Sequence, residues 1–84
     1  MFFVESYVPQ LDTASAGELT SRLQSVVDQL NDEGLALTWI RSFVLLDEDT
    51  YVWMVEAAEV EHVDLVQSRA GLERDHIVEV ASMP

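Results

Sequence analysis

The chain switches between two hydrophobic periods with almost no linker between them, and this limits its possible folds more than any other feature. Phe2–Val8 alternates with the period of a strand, and Ala16–Leu30 then places its apolar residues at helical spacing. Leu35–Leu45 and Thr50–Ala57 read as two further strands, Val60–Ala70 as a shorter helix and Ile77–Val80 as a last strand. The stripe Ala16, Leu19, Leu23, Val26, Val27 and Leu30 lies on one side of the first helix and has to be buried. Ser15 with Glu18 has the spacing of a capping box, Asp12 or Thr13 can cap in its place, and Gly34 supplies a left-handed stop. In the second helix Val60, Val63, Val66 and Ala70 form the apolar side, with Gly71 after it and Arg69 and Arg74 near its negative end.

The order strand, helix, strand, strand, helix, strand predicts a ferredoxin-like βαββαβ sandwich. In this α+β fold a four-stranded antiparallel sheet carries both helices on one face. Residues 1–84 make a single domain with a small core. One face of the sheet is left without a helix, so any site is expected there.

Alternation within the strands sorts residues between the two faces. Phe2, Val4, Ile40, Tyr51, Trp53, Val55, Val78 and Val80 are expected to face the helices. Phe3, Glu5, Tyr7, Leu37, Trp39, Arg41, Phe43, Val52, Met54, Glu56, Ile77 and Glu79 are expected on the open side. Large apolar side chains on an uncovered face call for a partner, and the simplest one is a second copy about a two-fold axis. Covering that face desolvates Glu5, Glu56 and Glu79 around a single guanidinium, Arg41. The imbalance has to be offset by water, by protons or by a bound cation. Glu5, Trp39, Arg41, Glu56 and Glu79 are therefore the expected ligand-binding residues.

Charge and composition exclude several classes. Sixteen Asp and Glu stand against four Arg with no Lys, a formal charge of −12. Nucleic acid and anionic membrane surfaces are repelled by such a chain. No apolar run is long enough to span a bilayer, the N-terminus reads as a strand and not as a signal peptide, and there is no cysteine. A cytoplasmic protein is expected. No glycine-rich phosphate loop, serine elbow or paired helical histidines occur. Asp47-Glu48-Asp49 is a solvated turn and lacks the glycine and closing glutamate of a calcium loop. His62, beside Glu59 and Glu61, is the remaining candidate metal ligand, and His76 reads as a structural or surface histidine at the start of the last strand.

The opening MFFVESYVPQL, the strand Thr38-Trp39-Ile40-Arg41-Ser42-Phe43 and the strand end Val55-Glu56-Ala57 carry a resemblance, completed by Ala70-Gly71-Leu72 and Ile77-Val78-Glu79-Val80. In this order and spacing they resemble a family of small bacterial ferredoxin-like proteins, some of them nickel-binding. The resemblance spans nearly the whole chain. It implies a homodimer and a role in binding or responding to Ni(II) or another divalent cation. The family pattern has histidines where this chain has Arg41 and Val66, so Glu5, Glu56 and Glu79, with His62, are the metal candidates left here.

The reading that follows is a small dimeric protein that binds a ligand or divalent metal at its acidic, aromatic open face and catalyses nothing. Two others stand beside it. One is a cofactor-free dimeric α+β barrel enzyme of monooxygenase or isomerase type, with Glu5 or Glu56 as general base and Arg41 holding an anionic intermediate. The other is a structural or interaction module without a ligand.

Overall fold

A computed structural model describes residues 1–72, 76–81 and 83. The elements follow the expected order: β1 (Phe2–Tyr7), α1 (Thr13–Asp32), β2 (Thr38–Leu45), β3 (Thr50–Glu56), α2 (Val60–Arg69) and β4 (His76–Glu79), with a single 3-10 turn, Leu46–Glu48, between β2 and β3. The four strands form one sheet in the order β2-β3-β1-β4, and every neighbouring pair is antiparallel. This is the ferredoxin-like α+β sandwich. No helix among the described residues is long and apolar enough to cross a membrane.

Each helix is bounded by local chemistry. Asp12 caps α1: its carboxylate accepts from the Ser15 backbone N–H at 2.8 Å, and the Asp12 N–H donates to the Ser15 hydroxyl at 3.1 Å. This reciprocal box sits three residues ahead of the Ser15–Glu18 pair suggested by spacing, and it satisfies two donors at the helix start. The N–H bond from Ser15 holds the Asp12 carboxyl below its ordinary range. Both helices end alike. Leu35 N–H reaches back to the Leu30 carbonyl and Leu72 N–H to that of Gln67, across Gly34 and Gly71 at φ 104° and 77°. A side chain at either glycine would be strained in this left-handed conformation. Arg69, the last residue of α2, forms a two-pronged ion pair with Glu33 at the end of α1. Arg74, the second charge expected near that end, lies outside the described residues.

The α1 stripe is buried as its spacing predicts: Ala16, Leu19, Leu23, Val26, Val27 and Leu30. They close on Phe2, Val4, Tyr51, Trp53 and Val55 from the sheet and on Val63 and Val66 from α2. Polar groups inside this layer are matched in part, the Tyr51 hydroxyl lying 2.6 Å from that of Thr20, itself bonded to the Ala16 carbonyl. One correction falls on α2. Val60 is exposed, and the buried side is Val63, Val66, Gln67 and Ala70. The helix therefore packs one turn further along than a stripe beginning at its first residue.

Two strands depart from simple alternation. In β2 the register with β3 runs Trp39↔Val55 and then Arg41↔Met54, leaving Ile40 as the extra residue of a bulge. An inserted residue inverts every side chain on one side of it relative to the other. Before the bulge, Leu37 and Trp39 point to the helices. After it, Arg41 and Phe43 point away. Leu37 is buried in the core, held by paired bonds from its backbone to the Asn31 side chain at 2.7 and 2.9 Å. Ile40, expected in the core, is 43% exposed.

In β4 the pairing Phe2↔Glu79, Phe3↔Val78, Val4↔Ile77 and Glu5↔His76 inverts the expected faces. Ile77 packs against the helix-side core, Glu79 shares its face, and Val78 and His76 lie on the open side. The strand ends at Glu79, and the backbone N–H of Val80 then bonds to the Met1 carbonyl at 2.9 Å.

Candidate functional site

The open face is built as rows that cross the sheet. One row runs Phe43, Val52, Glu5, His76 across β2, β3, β1 and β4, and the next runs Arg41, Met54, Phe3, Val78. A third row, Leu45, Thr50, Tyr7, closes the end nearest the β2–β3 turn. Phe43, Leu45 and Tyr7 are 39%, 44% and 69% exposed, yet Val52 among them is only 1% exposed. Val52 stands apart from the core cluster on the helix side. Its neighbours in the sheet therefore seal it, while their own outer surfaces remain in water.

Of the expected ligand-binding residues, the structure brings Glu5, Arg41 and Glu56 onto this face and removes two. Trp39 lies on the opposite side, half-buried and stacked on Trp53, with ring centroids 5.5 Å apart and planes 7° from parallel. Offset stacking of this kind is core packing. Glu79 is exposed on the helix side, opposite Phe2. Glu56 lies at the margin of the open face, 3.0 Å from the Met1 amino group.

The expected metal set is divided in the same way. Glu5 and Glu56 are on the open face, Glu79 is on the other, and His62 is on α2. His62 Nε2 stands 3.9 Å from a Glu59 carboxylate oxygen, and its Nδ1 is buried without a hydrogen-bond partner among the described residues. Val66 is fully buried between α2 and the sheet, on the other side of the sheet from Arg41. Glu5, Glu56, Glu79 and His62 thus do not fit a single ion site within one chain, and no group of three or more His, Asp or Glu among the described residues could hold one.

His76, read from the sequence as a structural or surface histidine, falls on this face. The register sets it directly across from Glu5, an imidazole and a carboxylate on adjacent antiparallel strands. The register sets their Cα positions side by side, and their side chains form no ion pair with each other. No local signal announces this. Only the β1–β4 pairing creates it.

Electrostatically the face is unusual for so acidic a chain. The ion pairs among the described residues join Met1 to Glu56, His62 to Glu59 and Arg69 to Glu33, and Arg41 takes part in none of them. On the helix side, Val4, Leu23, Leu30, Trp53, Val63 and Val66 are all fully buried. Surface depressions occur beside α2 at Asp64, Ser68 and Leu72, and under the β2–β3 turn at Val44–Glu48. Neither includes Glu5, Arg41 or His76.

The fold and face together define a ferredoxin-like α+β sandwich with one uncovered, mixed apolar and charged sheet surface. Searches against family models, curated proteins and solved structures find no match to this chain.

Proposed function

We propose that the chain is a binding module that works as a homodimer, two open faces enclosing a small polar ligand between them. The observation that supports this reading is the open face itself. Phe43, Leu45 and Tyr7 expose large apolar surfaces on the face that also carries Arg41, which forms no ion pair among the described residues, and Glu5 in register with His76. Contiguous apolar surface rimmed by polar groups is characteristic of an interaction site. A second sheet laid over it supplies the enclosure that a single flat face lacks. A cytoplasmic setting accords with a cysteine-free composition.

A divalent cation, nickel by the family resemblance, is the second reading. The register pair of Glu5 and His76 favours it, because a carboxylate beside an imidazole offers the oxygen and nitrogen donors that such ions accept. Each chain supplies one such pair, so a full set of ligands requires both copies.

Sedimentation equilibrium of the purified chain is expected to show a dimer, and Phe43→Asp a monomer. Calorimetric titration with nickel chloride then tests the ion. Binding heat that is lost in Glu5→Gln and His76→Ala but kept in Glu79→Gln supports a site on the open face. Heat unchanged by Glu5→Gln and His76→Ala removes nickel from that face, and a chain monomeric at all concentrations removes the dimer.

A further inference from the structure

Arg41 sits on a chain with sixteen carboxylates and pairs with none of those described, while Glu5 lies on the same open face across β3 from it. Building on the dimer reading above, we propose that these two residues are each other's partners in trans. Arg41 of one copy meets Glu5 of the partner subunit, and the two-fold repeats the pair.

The geometry of the sheet carries the proposal. Arg41 is in register with Met54 and Glu5 with Val52, so the two residues flank β3 and are displaced by one same-face row. With strands ~4.8 Å apart and ~3.4 Å of rise per residue, their Cα atoms lie roughly 12 Å apart. The two side chains form no ion pair with each other within one chain. A two-fold axis lying in the interface, through the midpoint of that line and perpendicular to it, superposes each copy's Arg41 on the other's Glu5. The midpoint falls over β3 between Val52 and Met54, on the middle of the open face.

An axis placed there covers Phe3, Phe43 and Val78 in both copies at once. It crosses the two sheets at about 70°, nearer the orthogonal class of sheet packing than the aligned one. The same construction on Glu56 puts the axis between β2 and β3 at the margin of the sheet, because Glu56 is in register with Thr38 on the edge strand. The β1 and β4 part of the face, with Phe3 and Val78, then stays in water. Glu5 is the partner that lets one axis satisfy both the charge and the apolar surface.

The arrangement also accounts for association between two copies that each carry −12. At physiological salt, charges separated by more than about 8 Å are largely screened, whereas a pair enclosed in the interface is not. Two reciprocal pairs set the register of the sheets and reject any packing that brings carboxylates together.

Charge reversal tests this. Arg41→Glu opposes two glutamates across the axis and Glu5→Arg opposes two arginines, so each is expected to weaken self-association roughly 100-fold in sedimentation equilibrium. The double variant Glu5→Arg/Arg41→Glu restores the dimer. An equimolar mixture of the two single variants restores it as well, as a heterodimer in which both pairs are complementary again. Far-UV circular dichroism and Tm of each single variant are expected to match the parent, which keeps lost association distinct from lost folding. Single variants that dimerise as tightly as the parent, or folded ones that neither the double variant nor the mixture rescues, overturn the pairing and leave the dimer reading intact. A parent chain that is monomeric throughout overturns both.

Discussion

On the helix side of β3, Tyr51, Trp53 and Val55 are completely sealed by the two helices and the neighbouring strands. On the other side of the same strand, Val52 is sealed, Met54 is half-buried and Glu56 is exposed, and among the described residues no helix covers them. The two sides of one strand differ in what completes them. Burial on the helix side is intramolecular and belongs to folding. On the open side it comes from the flanks of in-sheet neighbours and stops there, leaving Phe43, Leu45 and Tyr7 in water. One side is a core, and the other is a surface with a buried centre.

Truncation should separate the two most sharply. Trp53→Ala, which empties a fully buried site and unstacks Trp39, is expected to cost about 3–5 kcal/mol in denaturant unfolding. Val52→Ala, at the sealed centre of the open side, should cost about 1–2 kcal/mol in the same assay. Equal costs would mean that the open side is packed as tightly as the core, which would break the comparison.

Acidification probes a smaller contribution on the helix side. Arg69 beside Glu33 and the Ser15 N–H beside Asp12 hold both carboxyls below their ordinary ranges. Groups lowered on folding stabilise the native state above their unfolded pKa values, and this contribution is lost as pH falls through the folded ones. Tm should therefore fall modestly at acid pH, and less steeply in an Arg69→Ala/Asp12→Ala variant. Both groups lie at the surface, so salt should blunt the difference.

The smallest effect is expected at the bulge. Ile40→Asp, at a 43% exposed position, should change stability by less than ~0.5 kcal/mol, whereas unbroken alternation in β2 would make it a core mutation of several kcal/mol.

Much of this was legible in the residues themselves. The order of elements, the α1 stripe and the faces of β1 and β3 follow from periods of 3.6 and 2 acting over a few turns or residues. Phe2 and Val4 point inward, and Glu5 and Tyr7 outward, as alternation requires. Within β2, Trp39-Ile40-Arg41-Ser42-Phe43-Val44 reads apolar, apolar, polar, polar, apolar, apolar, which fits no unbroken alternation. That irregularity was visible, but where the strand spends its extra residue depends on its pairing with Val55 and Met54. In β4, His76-Ile77-Val78-Glu79 offers one apolar and one polar residue to each face whichever way it turns, so it carries no parity of its own. Those two strands account for the loss of Trp39 and Glu79 from the expected site and for the arrival of His76 opposite Glu5.

By itself, then, the sequence determined that two amphipathic helices and four strands form one ferredoxin-like layer pair with an uncovered sheet face. Tertiary structure alone decided which polar residues meet on that face. The physical reason is that hydrophobic period is a local property, carried by every few residues, whereas strand parity is relative. A strand's face is defined only against the neighbour to which it bonds, and a single bulged residue or a one-residue shift reverses it.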